Sequence, residues 1–246
     1  MWSYIILGIL QGIFEWIPIS SEGIVAIASQ YFLKGFHPID VAIFLHLGTL
    51  LAVLIYFRKE WKEVLTLKNK NLFYFLIIAT VVSLVVGFPI YKSIKEITIG
   101  AGLLVVMGFG LLLTSFLQKK RKSFNLNLNQ LAIFSGILQG LSVIPGLSRS
   151  GSTIFGLSLG KKNPSEILKI SYMMSAPVIF LANFYLYFKN PILVDKGWIS
   201  LIFSFLVGIF SLHYLIKFSQ KINFSKFAFI FGVLCLFGAL LSFLIK

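Results

Sequence analysis

Six long runs of this chain carry no Asp, Glu, Lys or Arg: 41–57, 72–91, 97–117, 170–188, 198–216 and 227–245. Each is long enough to cross a hydrocarbon core about 30 Å thick as a helix. A lipid medium offers backbone amides no partner, so each spanning segment has to satisfy its own, as a helix does. Only 12% of residues are charged and 58% are hydrophobic. A soluble domain carries roughly 25% charged residues, and this chain lacks the polar surface to coat one. The expectation is an all-α integral membrane protein, residues 1–246 forming a single membrane domain. The 26 phenylalanines suit lipid-facing positions. The single cysteine, Cys235, lies inside an apolar run, so no disulfide framework is expected. No cleavable signal peptide is expected either, because no basic stretch precedes the first apolar residues and Gln11 and Glu15 soon interrupt them.

A net charge of +14 suggests nucleic acid until its distribution is considered. Arg58, Lys59, Lys62, Lys68 and Lys70 fall together in one link between runs, and Lys119, Lys120, Arg121 and Lys122 in another. Lys161, Lys162 and Lys169 form a third cluster, and Lys217, Lys221 and Lys226 a fourth. The alternate links hold only Lys34, Lys92, Lys95, Lys189 and Lys196. That alternation is the positive-inside pattern of a polytopic membrane protein. Nucleic acid is not an expected partner; the bilayer is.

With the four clusters on the cytoplasmic side, the six spans thread without conflict. Two segments remain. Residues 130–160 begin and end on the inner side, so they enter and turn back, with Pro145–Gly146 at the turn. Residues 1–30 carry an equivalent interruption at Pro18. Both read as re-entrant helical hairpins. They are related in sequence: Gly8-Ile-Leu-Gln-Gly12 recurs as Gly136-Ile-Leu-Gln-Gly140, 128 positions on. In each copy a proline and serines follow, and a glycine (Gly23, Gly151) lies 12 residues after the glutamine. Three spans follow each copy, so the halves, about 1–120 and 128–246, are expected as inverted-topology repeats. Such repeats place their site near the midplane, where broken helices meet.

Ionisable residues at that depth are costly and mark function. Glu15 stands on the first hairpin and Arg149 on the second. Gln11 precedes Glu15 by four residues and shares its helix face. Ser20 and Ser21 are placed to cap the returning helix. Ser148, Arg149 and Ser150 follow Pro145–Gly146 where a new helix should begin, and a helix N-terminus is an anion site. Arg149 adds a planar fork suited to phosphate, and Thr153, one turn on, is placed to offer its hydroxyl. A buried Glu15–Arg149 ion pair serving structure alone accounts for the two charges but not for the hydroxyls and glycines at both tips. Glu22 reads as a helix-dipole partner, Asp40 as a cap, and His37, His46 and His213 as structural. An anion pocket with a carboxylate, reached from lipid, suits a lipid phosphate or diphosphate, with the carboxylate holding a cation or activating water or a serine.

The stretches Gln11-Gly-Ile-Phe-Glu15-Trp-Ile-Pro-Ile-Ser-Ser21 and Pro145-Gly146-Leu-Ser148-Arg149-Ser150-Gly-Ser-Thr153 closely resemble the two signature motifs of the undecaprenyl-diphosphate phosphatases, the bacitracin-resistance family. The stretch beginning His46-Leu-Gly-Thr is similar to that family too. The resemblance implies a plasma-membrane enzyme that hydrolyses undecaprenyl diphosphate to the monophosphate and phosphate, recycling the carrier lipid of envelope glycan assembly. It implies a divalent cation, Mg²⁺ or Ca²⁺, with Glu15 as its ligand, and a site open to the outer face. By position, Glu15, Ser21 and Arg149, with Gln11, match the essential residues. Ser148, Ser150, Gly146, Thr153 and Ser20 match the phosphate-binding surroundings. Where the family has a histidine after Ser-Gly, this chain has Ile24, so the acid–base step falls to Glu15, with Ser21 or water as nucleophile. A flippase that binds the monophosphate lipid without hydrolysis stays open as the alternative, as does a homodimer.

Overall fold

The computed structural model describes all residues except 18–19, 34, 95–100, 120–125, 161–163, 219–223 and 245–246. The expected break at Pro18 therefore lies outside the described residues, as do Lys34, Lys95, Lys120, Arg121, Lys122, Lys161, Lys162 and Lys221. The described residues form helices and no strand. In chain order these are α1 (Trp2–Phe14), α2 (Ser21–Phe32), α3 (Pro38–Tyr56), α4 (Arg58–Leu65), α5 (Lys70–Ile94), α6 (Ala101–Lys119), α7 (Leu128–Leu141), α8 (Arg149–Ser158), α9 (Pro164–Lys189), α10 (Pro191–Phe218) and α11 (Phe224–Leu244).

Four helices, α3, α5, α9 and α10, are long and apolar enough to cross a membrane. The other two expected runs coincide with α6 and α11, which pack along each other. The basic link after α3 is not plain loop. It folds as α4, whose sequence RKEWKEVL buries Val64 and leaves Leu65 exposed among charges.

The two expected hairpins are present as pairs of short helices. The helices α1 and α2 have 13 and 12 residues, and α7 and α8 have 14 and 10. At 1.5 Å per residue they reach about 15–21 Å, too short to span. A capping box between Asn127 and Gln130 starts α7. Both returning helices start from a serine: Ser20 Oγ accepts the Gly23 amide at 3.2 Å, and Ser148 Oγ accepts the Gly151 amide at 3.2 Å. Ser21, expected to share the capping, is the first helical residue and turns its hydroxyl elsewhere. The cap of α3 falls likewise to His37 rather than Asp40. Asp40 sits one turn in and binds the Tyr91 hydroxyl at 2.7 Å and Asn190 Nδ2 at 3.3 Å.

The repeated pentapeptide has a packing role that its wording conceals. Its two glycines are four apart, so both face one side of their helix. In α1 they meet α10: a Cβ on Gly12 would lie 2.8 Å from the Gly208 nitrogen, and one on Gly8 would strike the Ser200 carbonyl. In α7 they meet α5: a Cβ on Gly136 would lie 2.8 Å from the Ala79 oxygen, and one on Gly140 2.8 Å from the Ser83 oxygen. Small residues at this spacing let helix backbones approach closely, which is how helices associate in a medium as apolar as their side chains. Hydrogen bonds follow the same seams. Ser211 Oγ donates to the Gly12 carbonyl at 2.5 Å, and Ser83 Oγ to the Gly136 carbonyl at 3.0 Å. Each leading hairpin helix is thus clamped onto a long helix from the other half of the chain.

Candidate active site

The hairpin tips touch. Ser20 Oγ, besides capping α2, accepts the Gly146 amide at 2.9 Å. Ser20 sits in the left-handed region at φ 68°, uncommon for a residue with a side chain, and those two amides hold it there. Gly146 has φ 94°, and its backbone lies so close to Met107 of α6 that no Cβ would fit. Thr114 completes the seating of the second tip on α6. Its hydroxyl donates to the Gly146 carbonyl at 3.2 Å and accepts the Ser148 amide at 3.1 Å.

Glu15 is the hub, with a side chain only 1% exposed. Gln11 Nε2 donates to its Oε2 at 2.6 Å from one turn earlier in α1, and Ser21 Oγ donates to the same oxygen at 2.7 Å. Arg149 Nη2 is paired with Oε1. Trp16, next in sequence, fixes this corner: its Nε1 donates to the Gly208 carbonyl at 2.8 Å, and its ring stands edge-on to Tyr172 at 5.3 Å.

A residue that the sequence reading took as structural joins this hub. His46 Nε2 lies 3.2 Å from Glu15 Oε2. Its Nδ1 lies 2.6 Å from the Ala42 carbonyl, which can only accept, so Nδ1 carries a proton and Nε2 is the nitrogen presented to Glu15. The signal was present. His46 is a titratable side chain in the middle of an apolar run, the same criterion that picked out Glu15 and Arg149.

Glu15, Ser20, Ser21, Glu22, His46, Ser148, Arg149 and Ser150 share one cavity of about 200 Å³. Its other wall is largely apolar, built from α5 (Leu84, Phe88) and α9 (Val178, Leu181, Ala182, Leu186), with Tyr91 and Asn183 among them. Phe88 and Leu181 are exposed on the helix surfaces as well, at 41% and 40%. Each of these two helices contains a proline beside this wall, Pro89 and Pro177. Two buried nitrogens of Arg149, Nε and Nη1, have no hydrogen-bond partner among the described residues, so they are free to donate to a ligand. Ser148 and Ser150 hydroxyls lie 3.1 Å apart beside it. The arrangement offers an anion a guanidinium and hydroxyls, and offers one hydroxyl, that of Ser21, a carboxylate partner.

Three of the expected residues lie off the cavity wall. Gln11 is fully buried behind Glu15 and orients it. Gly146 shapes the tip. Thr153, expected to present its hydroxyl to a ligand, is buried, with that hydroxyl bonded to the Arg149 carbonyl at 2.9 Å and to Ser171 Oγ at 2.6 Å. A threonine in a helix readily turns its hydroxyl back to the carbonyl four residues earlier. Thr153 therefore docks α8 on α9.

Glu15 was also expected as the metal ligand. Its Oε1 is matched by a guanidinium and its Oε2 by three groups, so a cation there would stand against Arg149. Glu22 differs: its Oε1 is shut off from solvent and has no hydrogen-bond partner among the described residues. An unmatched carboxylate oxygen in the wall fits a hard cation. Among the described residues no cluster of three His, Cys, Asp or Glu side chains is placed to hold a metal by itself.

Residues 4–237 match the family model described as bacitracin resistance protein BacA. A relative from Methanococcoides burtonii, named undecaprenyl-diphosphatase, is 33% identical over 94% of this chain and 95% of its own length. Proteins of the same name from Methanococcus vannielii, 34% identical over 96% of both chains, and Caldicellulosiruptor bescii, 34% identical over 92% of this chain and 91% of its own, extend the match across archaea and bacteria. With a match running through both hairpins and nearly the whole helical core, this multi-pass membrane protein belongs to the bacitracin resistance protein BacA family.

Proposed function

We propose that this protein hydrolyses the diphosphate of a polyprenyl carrier, of the undecaprenyl class, to the monophosphate and inorganic phosphate. One observation carries the reading. Arg149, with two nitrogens unpaired among the described residues, and Ser21, bonded to Glu15 at 2.7 Å, line the same cavity. A pocket that only bound and moved a lipid phosphate would need the first; the second is what a nucleophile needs. The names borne by its relatives agree.

The diphosphate lies against Arg149, Ser148 and Ser150, and the prenyl chain follows the apolar wall between α5 and α9. Arg149 takes two phosphate oxygens through its free nitrogens while Nη2 stays on Glu15. As Ser21 Oγ attacks the terminal phosphorus, its proton passes to Glu15. The anhydride P–O bond breaks, and the lipid monophosphate leaves. Water then attacks the phosphoserine and gives its proton to His46 Nε2, which lines the cavity 3.2 Å from Glu15. Glu15 returns its proton to Ser21 Oγ as the P–Oγ bond breaks and inorganic phosphate leaves. His46 thereby takes the place left empty at Ile24. A divalent cation held by Glu22 would neutralise charge on the phosphates as the bond breaks.

The same reading includes six spans, with α6 and α11 as the fifth and sixth, in the plasma membrane with the basic clusters inside and the cavity opening outward. The segments 1–120 and 128–246 are inverted repeats within it. Matching serine caps 128 positions apart, and matching glycine clamps of α1 on α10 and α7 on α5, support that repeat.

Purified protein given a polyprenyl diphosphate should release phosphate, and EDTA should suppress the release. Lipid binding without release would leave a flippase and overturn the hydrolase.

A further inference from the structure

We infer that Glu22, and not Glu15, is the carboxylate through which a divalent cation is held, and that the cation binds together with the diphosphate rather than before it. The inference rests on the diphosphate reading above and names the ligand set that reading leaves open.

Glu22 is the second residue of α2, one position after Ser21. A carboxylate in the first turn ordinarily serves the free amides of its own helix. Here that service is already provided, because Ser20 Oγ accepts the Gly23 amide. Glu22 instead lines the cavity, and its Oε1 is buried with nothing bonded to it among the described residues. A buried carboxylate oxygen without a hydrogen-bond donor is uncommon and needs a reason.

The charges around it supply one. Arg149 is committed on one side to Glu15, and His46 likewise faces Glu15. The cavity thus holds two carboxylates, one of them with an oxygen unbonded among the described residues, and the substrate brings further negative charge. Without a cation, Glu22 would repel the diphosphate that Arg149 attracts.

A single side-chain oxygen is a poor site for a free ion but a normal share of a Mg²⁺ site. Such sites commonly use one or two carboxylates, substrate phosphate oxygens and water. The lack of any three-ligand cluster among the described residues agrees with a cation that needs the diphosphate to complete its shell.

Mn²⁺ reports on this directly, because its free aqueous form gives a spin-resonance signal that binding removes. The full-length protein in detergent is titrated with Mn²⁺, with and without a polyprenyl methylenediphosphonate, which has no cleavable anhydride bond. Wild type should bind Mn²⁺ at least tenfold more tightly when the diphosphonate is present. Glu22→Gln should lose at least tenfold of that affinity, Glu22→Asp should recover part of it, and Glu15→Gln should stay within threefold of wild type. Equal affinity in Glu22→Gln and wild type would overturn the inference. So would a loss in Glu15→Gln matching that in Glu22→Gln, or Mn²⁺ binding indifferent to the diphosphonate. Thermal melting of each variant separates lost ligation from lost fold. Diphosphonate binding measured in EDTA separates the two proposals: binding there, without Glu22-dependent Mn²⁺ uptake, breaks only the cation assignment, whereas no binding under either condition breaks the diphosphate reading too.

Discussion

The two hairpins are one scaffold carrying two chemistries. In both, a glycine pair four residues apart presses the leading helix onto a long partner, and a serine caps the returning helix through a 3.2 Å bond to the amide three residues on. The next two positions differ. After Ser20 come Ser21 and Glu22; after Ser148 come Arg149 and Ser150. The glutamines diverge as well. Gln11 steadies Glu15, but 128 positions on from Glu15 stands Val143, and Gln139 instead binds Ser83 Oγ and the Met174 carbonyl, each at 3.2 Å. The first hairpin therefore offers a carboxylate pair and a hydroxyl, the second a cation and hydroxyls, and they meet tip to tip. The two hairpins thus match in their serine caps and glycine clamps and differ at the few positions that line the cavity.

The largest break in that comparison should come from Arg149→Ala. The second hairpin would keep its cap and clamp and lose its charge, and phosphate release should fall by about 10³-fold or more, as when a phosphate-binding arginine is removed. Arg149→Lys, which keeps the pairing with Glu15 but not the fork, should recover only a small part. Wild-type turnover in Arg149→Ala would refute the site.

Next comes the contrast between the hydroxyls. Ser21→Ala should lower release by about 10³-fold, because Ser21 is the hydroxyl that donates to Glu15, and the proposed phosphoserine should vanish from acid-quenched reactions. Ser150→Ala removes one phosphate contact and should cost about tenfold, in the range of a single hydrogen bond to a charged group. Equal losses in the two variants would mean that water, not Ser21, attacks.

Gly12→Ala and Gly140→Ala test the equivalence rather than the difference. Each adds a Cβ 2.8 Å from backbone of the facing helix, so each should destabilise by about 1–3 kcal/mol, read from thermal unfolding in detergent. Similar shifts would show that the two clamps carry similar weight. A large shift in one alone would show that one hairpin is held by its tip contacts instead.

How much of this was legible in the sequence depended on range. The helical class, the long apolar helices and the turn at Pro145–Gly146 follow from uncharged length and from proline and glycine, which act locally. Gln11 beside Glu15 was legible too, because four residues in a helix fix a neighbour. His46 was not placed, because its partner is 31 positions back and on another helix, and only the fold brings them within 3.2 Å. Thr114 and Trp16 hold the tips through contacts of the same long-range kind. Thr153 shows the opposite error. A motif position suggested a ligand contact, and local geometry, a carbonyl four residues earlier, took the hydroxyl first. The glycine repeat was noticed as a repeat, but its purpose emerges only with the facing helix in view.

The smallest effect is expected at Asp40, and it sharpens what distinguishes Glu15. Both are buried carboxylates in the first half of the chain, at 2% and 3% exposure. Asp40 accepts from Tyr91 and Asn190, so it ties α3 to α5 and to the turn between α9 and α10, and it is not part of the cavity wall. Burial alone therefore does not make a carboxylate catalytic; what matters is whether its partners include a nucleophile and an open cation. Asp40→Ala should cost about 1–3 kcal/mol of stability through the donors it abandons. Turnover per folded molecule should change by less than tenfold, since Asp40 is not in the cavity wall and touches it through Tyr91. A loss as deep as that of Arg149→Ala, in protein shown to be folded, would move the chemistry toward the α3–α5 junction and make Tyr91 the next residue to test.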